Sequence, residues 1–116
     1  MPTILVIDDS MLVRQQVSRA LTAAGYLVET ATDGQDALDK LAANPGIALA
    51  VCDVNMPRMS GIEFLERVGT KVAVVMLTTE GQPELMARAK QLGAKGWILK
   101  PFKPELLVAA AKKLAA

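Results

Sequence analysis

Ile4-Leu5-Val6-Ile7-Asp8-Asp9-Ser10 is the stretch whose reading decides the fold class. Four aliphatic residues in a row, with no polar alternation, describe a strand buried on both faces. The run stops at two acids, and Ser10 can then cap a helix. Val13, Val17, Ala20, Leu21 and Ala24 recur at helical spacing, and Gly25 is placed to end that helix. A doubly buried strand followed at once by an amphipathic helix is the building unit of a parallel sheet.

The same pattern recurs outward along the chain. Tyr26 to Ala31 reads as a second strand, more polar and nearer an edge, and Asp33 caps a helix through about Ala42. Asn44-Pro45-Gly46 is a turn, and Ile47 to Cys52 is a third apolar run, ending in Asp53. A loop, Val54 to Met59, leads to Ser60, which with Glu63 forms a capping box. The helix it opens carries Ile62, Phe64, Leu65 and Val68. Val72 to Leu77 is the most apolar strand, suited to the sheet centre, and is followed by Thr78 and Thr79. Pro83 suits the first turn of a fourth helix running to Leu92 and stopped by Gly93. Gly96 to Leu99 is a fifth strand before Lys100-Pro101, and a last helix begins near Pro104 with Leu107, Ala110, Ala111 and Leu114 on one face. Five βα units fill the chain, so the expected architecture is a doubly wound α/β domain over residues 1–116, a five-stranded parallel sheet with helices on both faces.

Composition narrows the chemistry. The chain has 116 residues, 52% of them hydrophobic and 22% charged, which is ordinary for a globular domain. Thirteen basic against twelve acidic side chains leave a net charge of +1, with no basic run for nucleic acid or an anionic membrane. A single cysteine excludes an internal disulfide and a Cys-only zinc site. No histidine is present, so the chain supplies no Ser-His-Asp triad, Cys-His pair or imidazole ligand. Oxygen donors remain, and these suit a hard cation such as Mg²⁺. The start lacks the features of a signal peptide, and no apolar stretch nears the roughly 20 residues of a membrane span. A cytoplasmic location is expected.

The polar residues fall where such a fold binds ligands, outside the carboxyl ends of the strands. Asp8 and Asp9 follow the first strand, Asp53 the third, Thr78 the fourth and Lys100 the fifth. In a parallel sheet these groups share one edge. At about 4 Å and an effective dielectric near 20, each pair of like charges costs about 4 kcal/mol, so the cluster calls for cations. Lys100 can neutralise one carboxylate and Mg²⁺ most of the rest. Such a set suits phosphoryl transfer, with a carboxylate as the nucleophile.

On these residues the chain resembles the response-regulator receiver domains of two-component signalling, from Ile4-Leu-Val-Ile-Asp-Asp-Ser10 to Lys100-Pro-Phe-Lys103. Asp53-Val-Asn-Met-Pro-Arg-Met-Ser-Gly61 looks like the phosphorylation loop of the single-domain, CheY-like members. The resemblance implies a flavodoxin-like strand order of 2-1-3-4-5. It implies that Asp53 is the phosphoacceptor, and that Asp9, assisted by Asp8, binds Mg²⁺ with Asp53 and the backbone carbonyl of Asn55. Thr78 matches the switch hydroxyl, Lys100 the catalytic lysine, and Trp97 an aromatic switch position more often Tyr or Phe. A cis peptide before Pro101 is implied too. Asn55 and Glu80 match positions that tune dephosphorylation.

The implied function is that of a stand-alone, monomeric regulator without an output domain. It would take a phosphoryl group from a sensor histidine kinase or phosphotransfer protein. A downstream protein would then bind the surface of the fourth helix, fifth strand and fifth helix, with no direct nucleic-acid or membrane contact. Three alternatives stand beside it. A haloacid-dehalogenase-type phosphatase needs a second Asp two residues after a first-strand nucleophile, whereas Asp8 and Asp9 are adjacent. A constitutive adaptor would have no use for the full set of acids, Thr78 and Lys100. A flavodoxin-like cofactor carrier lacks a phosphate-cradling first loop. Cys52 reads as buried packing, and Met11, Met56, Met59, Met76 and Met86 as core or rim filler.

Overall fold

The structure, a computed structural model, describes residues 2–56, 59–69, 71–78 and 83–115. Strands and helices alternate strictly: β1 (Thr3–Ile7), α1 (Met11–Ala23), β2 (Leu27–Ala31), α2 (Gly34–Ala43), β3 (Ile47–Asp53), α3 (Gly61–Val68), β4 (Ala73–Thr78), α4 (Pro83–Gln91), β5 (Gly96–Leu99) and α5 (Pro104–Leu114). The five strands form one parallel sheet in the order β2-β1-β3-β4-β5.

Side-chain alternation along the strands sorts the core into two layers. Ile4, Val6, Leu49, Val51, Val75, Leu77 and Ile98 point to one face, where they meet Val17 and Leu21 of α1 and Leu107 and Ala111 of α5. Leu5, Ile7, Ala50, Cys52, Val74 and Met76 point to the other, against Ala37 of α2, Phe64, Leu65 and Val68 of α3, and Ala89 of α4. Two helices on one face and three on the other is the outcome of right-handed crossovers that reverse direction after β2. The register slips between Thr3 and Ile4, opposite Ile47 and Leu49. That irregularity lets Ile47 join the layer of Ala50 and Cys52 despite its odd spacing.

Local signals hold up well at the helix starts. Ser10 accepts from the Val13 amide at 3.3 Å, and Asp33 accepts from the Asp36 amide at 2.9 Å. Ser60 and Glu63 form the reciprocal capping box. Gly25 and Gly93 follow α1 and α4 with positive φ, which explains why the chain turns there.

Three expectations change. The strand at the sheet centre is β3, with the more apolar β4 one place out, because the crossover order sets position and both strands are buried anyway. Met11 is no filler: it starts α1 on the solvent side and is 63% exposed. Met86 is likewise exposed on α4, while Met59 and Met76 are buried and Met56 is half-buried, as core or rim filler should be. Pro57, Arg58, Thr79 and Glu80 lie outside the described residues, so the dephosphorylation-tuning position at Glu80 and the strand-end Thr79 do too. No helix among the described residues is long and apolar enough to cross a membrane.

Candidate phosphoryl-transfer site

The sheet order places its switch point between β1 and β3, where the chain departs toward opposite edges. Ile7 pairs with Cys52, so the next residues, Asp8 and Asp53, emerge side by side at the carboxyl edge. Asp9 follows on the loop into α1. Ligand atoms of Asp8, Asp9 and Asp53 lie within 4.8 Å of one another, with Asp8 and Asp53 buried and Asp9 exposed.

Lys100 reaches the same point from the end of β5. Its ammonium donates to Asp8 Oδ2 at 2.9 Å and to Asp53 Oδ1 at 3.1 Å. Its backbone N–H donates to the Thr78 carbonyl at 2.6 Å, which fixes where the side chain starts. The Lys100–Pro101 peptide is cis, as the family resemblance implies. One cation thus bridges two carboxylates drawn from strands 92 and 47 residues away in sequence.

Each acid is held by the backbone around it. Asp8 Oδ1 accepts from the Ser10 amide at 2.9 Å, and its own N–H donates to the Ala31 carbonyl at 3.1 Å. Asp53 is the last residue of β3, and the backbone N–H of Asn55 donates to its carboxylate. Gly61 brings the start of α3 hard against this strand end. A Cβ there would collide with the Asp53 carbonyl oxygen and lie 2.9 Å from Met76 Cε, so only glycine permits the approach. Sequence reading passed over this constraint, because nothing local to Ser60-Gly61 reveals what lies across from it.

Electrostatics follow from this crowding. Burial raises the Asp53 pKa above the ordinary 3.8, Asp8 pushes it the same way, and Lys100 with the Asn55 amide only partly oppose them. For Lys100, burial disfavours the charged ammonium, yet the hydrogen bonds and charges of Asp8 and Asp53 prevail and raise its pKa above 10.5. Cys52 is fully buried behind the site, and burial followed by the charges of Asp53 and Asp8 drives its thiol well above 9.0. With carboxylate oxygens alone, one of them open to solvent, the cluster fits a hard divalent cation and offers nothing to a soft one.

Thr78 is wholly buried at the end of β4, next to this edge. Trp97 is not in the acid cluster. It pairs with Met76 inside β5 and packs on the α2–α3–α4 layer, where its indole Nε1 is buried with no hydrogen-bond partner among the described residues.

The chain matches the family model for the response regulator receiver domain over residues 4–112. It is 43% identical over 104 residues to the chemotaxis protein CheY of Treponema pallidum (strain Nichols), covering 85% of this chain and 72% of that one. To the chemotaxis protein CheY1 of Helicobacter pylori (strain 26695) it is 34% identical over 110 residues, covering 90% of this chain and 89% of that one. Among solved structures, the chemotaxis protein CheY4 of Vibrio cholerae superposes with a TM-score of 0.91 at 42% identity, covering 98% of each chain. With this fold, this edge of acids and a match over nearly its whole length, the chain belongs to the response regulator receiver domains of two-component signal transduction, closely similar to the CheY proteins of chemotaxis.

Proposed function

We propose that this receiver acts as a stand-alone cytoplasmic response regulator, a monomer that takes a phosphoryl group from a phosphohistidine of a partner kinase or phosphotransfer protein onto Asp53. The observation that carries this reading is the single Lys100 ammonium bridging Asp8 and Asp53 inside a three-carboxylate cluster. An Asp53 oxygen attacks phosphorus, the P–N bond breaks as the P–O bond forms, and the donor imidazole leaves. Lys100 stays within reach of the oxygens that gain charge, and the Asn55 amide keeps the carboxylate aimed. Asp8, Asp9, Asp53 and the backbone carbonyl of Asn55 would hold Mg²⁺, which receiver domains typically use. Bound there, the ion neutralises the acids and the incoming phosphoryl oxygens. Having no histidine, the chain is acceptor and never histidine donor. It promotes its own phosphorylation and hydrolysis without being a conventional turnover enzyme.

Output would follow from a local charge change that biases a two-state element. Thr78, buried beside the site, would turn its hydroxyl to the new phosphoryl group. Trp97 would then repack. Its indole N–H, without a partner among the described residues, supports this, since an unpaired buried donor costs about 1–3 kcal/mol and weakens the hold on the present ring position. Exposed Met86, Leu99 and Leu106 sit on α4, β5 and α5, an apolar surface suited to a protein partner.

Intact-mass spectrometry after incubation with a small phosphoramidate tests the reading. One phosphoryl group should be gained, only with Mg²⁺ and not in Asp53→Asn, with a concurrent change in Trp97 emission. A wild-type protein that takes up no phosphoryl group with Mg²⁺ present overturns it.

A further inference from the structure

Arg14 sits on the first turns of α1, six residues past Asp8, and its guanidinium Nη1 donates to the Asp8 backbone carbonyl at 2.6 Å. This bond closes a circuit around one residue. The Asp8 N–H is held by Ala31, one carboxylate oxygen by the Ser10 amide, the other by Lys100, and the carbonyl by Arg14. Ala31 and Ser10 act through backbone groups, Lys100 and Arg14 through side chains. The Asp8 carbonyl belongs to the peptide unit that leads directly into Asp9, the exposed acid of the cluster. Asp9 itself has no hydrogen bond among the described residues, so the direction of its carboxylate depends on how firmly that peptide plane is held. No carboxylate lies within 4.0 Å of the Arg14 guanidinium among the described residues, so this arginine is anchored by the carbonyl and not by an ion pair.

We propose that Arg14 is a positioning residue for the metal site: through the Asp8 carbonyl it holds the Asp8–Asp9 peptide so that the Asp9 carboxylate meets the cation. The inference rests on the Mg²⁺ reading above. Charge and geometry make opposite demands here, which gives the test its force. Arg14 is a cation near a cation site, so by charge alone its removal tightens Mg²⁺ binding. By geometry its removal weakens binding, and partners that orient metal ligands are typically worth about 10–100-fold in affinity.

Calorimetric titration with Mg²⁺ decides it, comparing wild type with Arg14→Met, which lacks both charge and donor, and Arg14→Lys, which keeps the charge. Thermal unfolding in chelator is measured alongside. The expected result is Mg²⁺ binding weakened about tenfold or more in Arg14→Met and less in Arg14→Lys, with metal-free melting little changed. Unchanged or tighter binding in Arg14→Met overturns the inference while leaving the site reading intact. A lowered metal-free melting point with unchanged Mg²⁺ affinity assigns Arg14 a structural role only, which also overturns it. A wild type that binds no Mg²⁺ removes the site reading and this inference with it.

Discussion

Asp53 and Cys52 are chain neighbours with opposite properties, and each supports a prediction. Asp53 shares its site with Asp8 and Asp9 and, among the described residues, is paired with Lys100 alone. Without a divalent cation, the ionised cluster works against folding. Asp53→Asn should therefore raise stability in chelator at neutral pH by about 1 kcal/mol or more, read by urea or thermal unfolding. A loss of stability would mean that the Lys100 bond outweighs the repulsion. Cys52 points into the α2–α3–α4 layer, wholly buried, and donates to the Asp53 carbonyl at 3.3 Å. With its thiol pushed upward in pKa as well, it should react with an aromatic disulfide reagent only as fast as the protein unfolds. Both residues were named from sequence, Cys52 as packing and Asp53 as the acid at a strand end. The hydrogen-bond partners were not, because they come from chain segments far away.

At the scale of elements, α3 shows where local signals suffice and where they stop. Its start was legible: Ser60 and Glu63 carry their mutual bonds within four residues, and Ser60→Ala should cost about 1 kcal/mol. Gly61 depends on something remote. Gly61→Ala forces its methyl group into the Asp53 carbonyl oxygen, a backbone atom that cannot swing aside, and should cost about 3 kcal/mol while disturbing Mg²⁺ binding. Gly69, at φ 56° with nothing within 4 Å of a Cβ, provides the contrast. Gly69→Ala should cost about 1–2 kcal/mol from backbone strain alone and leave Mg²⁺ affinity unchanged. Chemical denaturation of the three variants, with calorimetric Mg²⁺ titration of the two glycine variants, checks the ordering.

Over the whole molecule, one edge collects three acids from the ends of two strands while the sheet behind it is sealed by two apolar layers. A ligand that binds only this assembled edge must stabilise the entire fold. Mg²⁺ should therefore raise the melting temperature progressively, with a gain in stability of about 2.7 kcal/mol at a hundredfold excess over the dissociation constant. Asp9→Asn should abolish most of that rise while leaving metal-free melting near wild type, since Asp9 is exposed. Differential scanning calorimetry across a Mg²⁺ series would show both.

What the sequence determined by itself is the succession of strands and helices and the identity of the groups at the strand ends. Both are local properties: periodicity, capping and the abrupt change from apolar to acidic lie within a few residues of one another. Tertiary structure alone decided which of two adjacent acids is buried against Lys100 and which faces solvent, and that Arg14 reaches back to Asp8. It also put Met11 on the outside and made Gly61 indispensable. These outcomes turn on strand register and on which helix covers which face. Neighbouring residues at a strand end project to opposite sides, so the same two letters give a buried anchor and a solvent-open carboxylate only once the sheet is assembled.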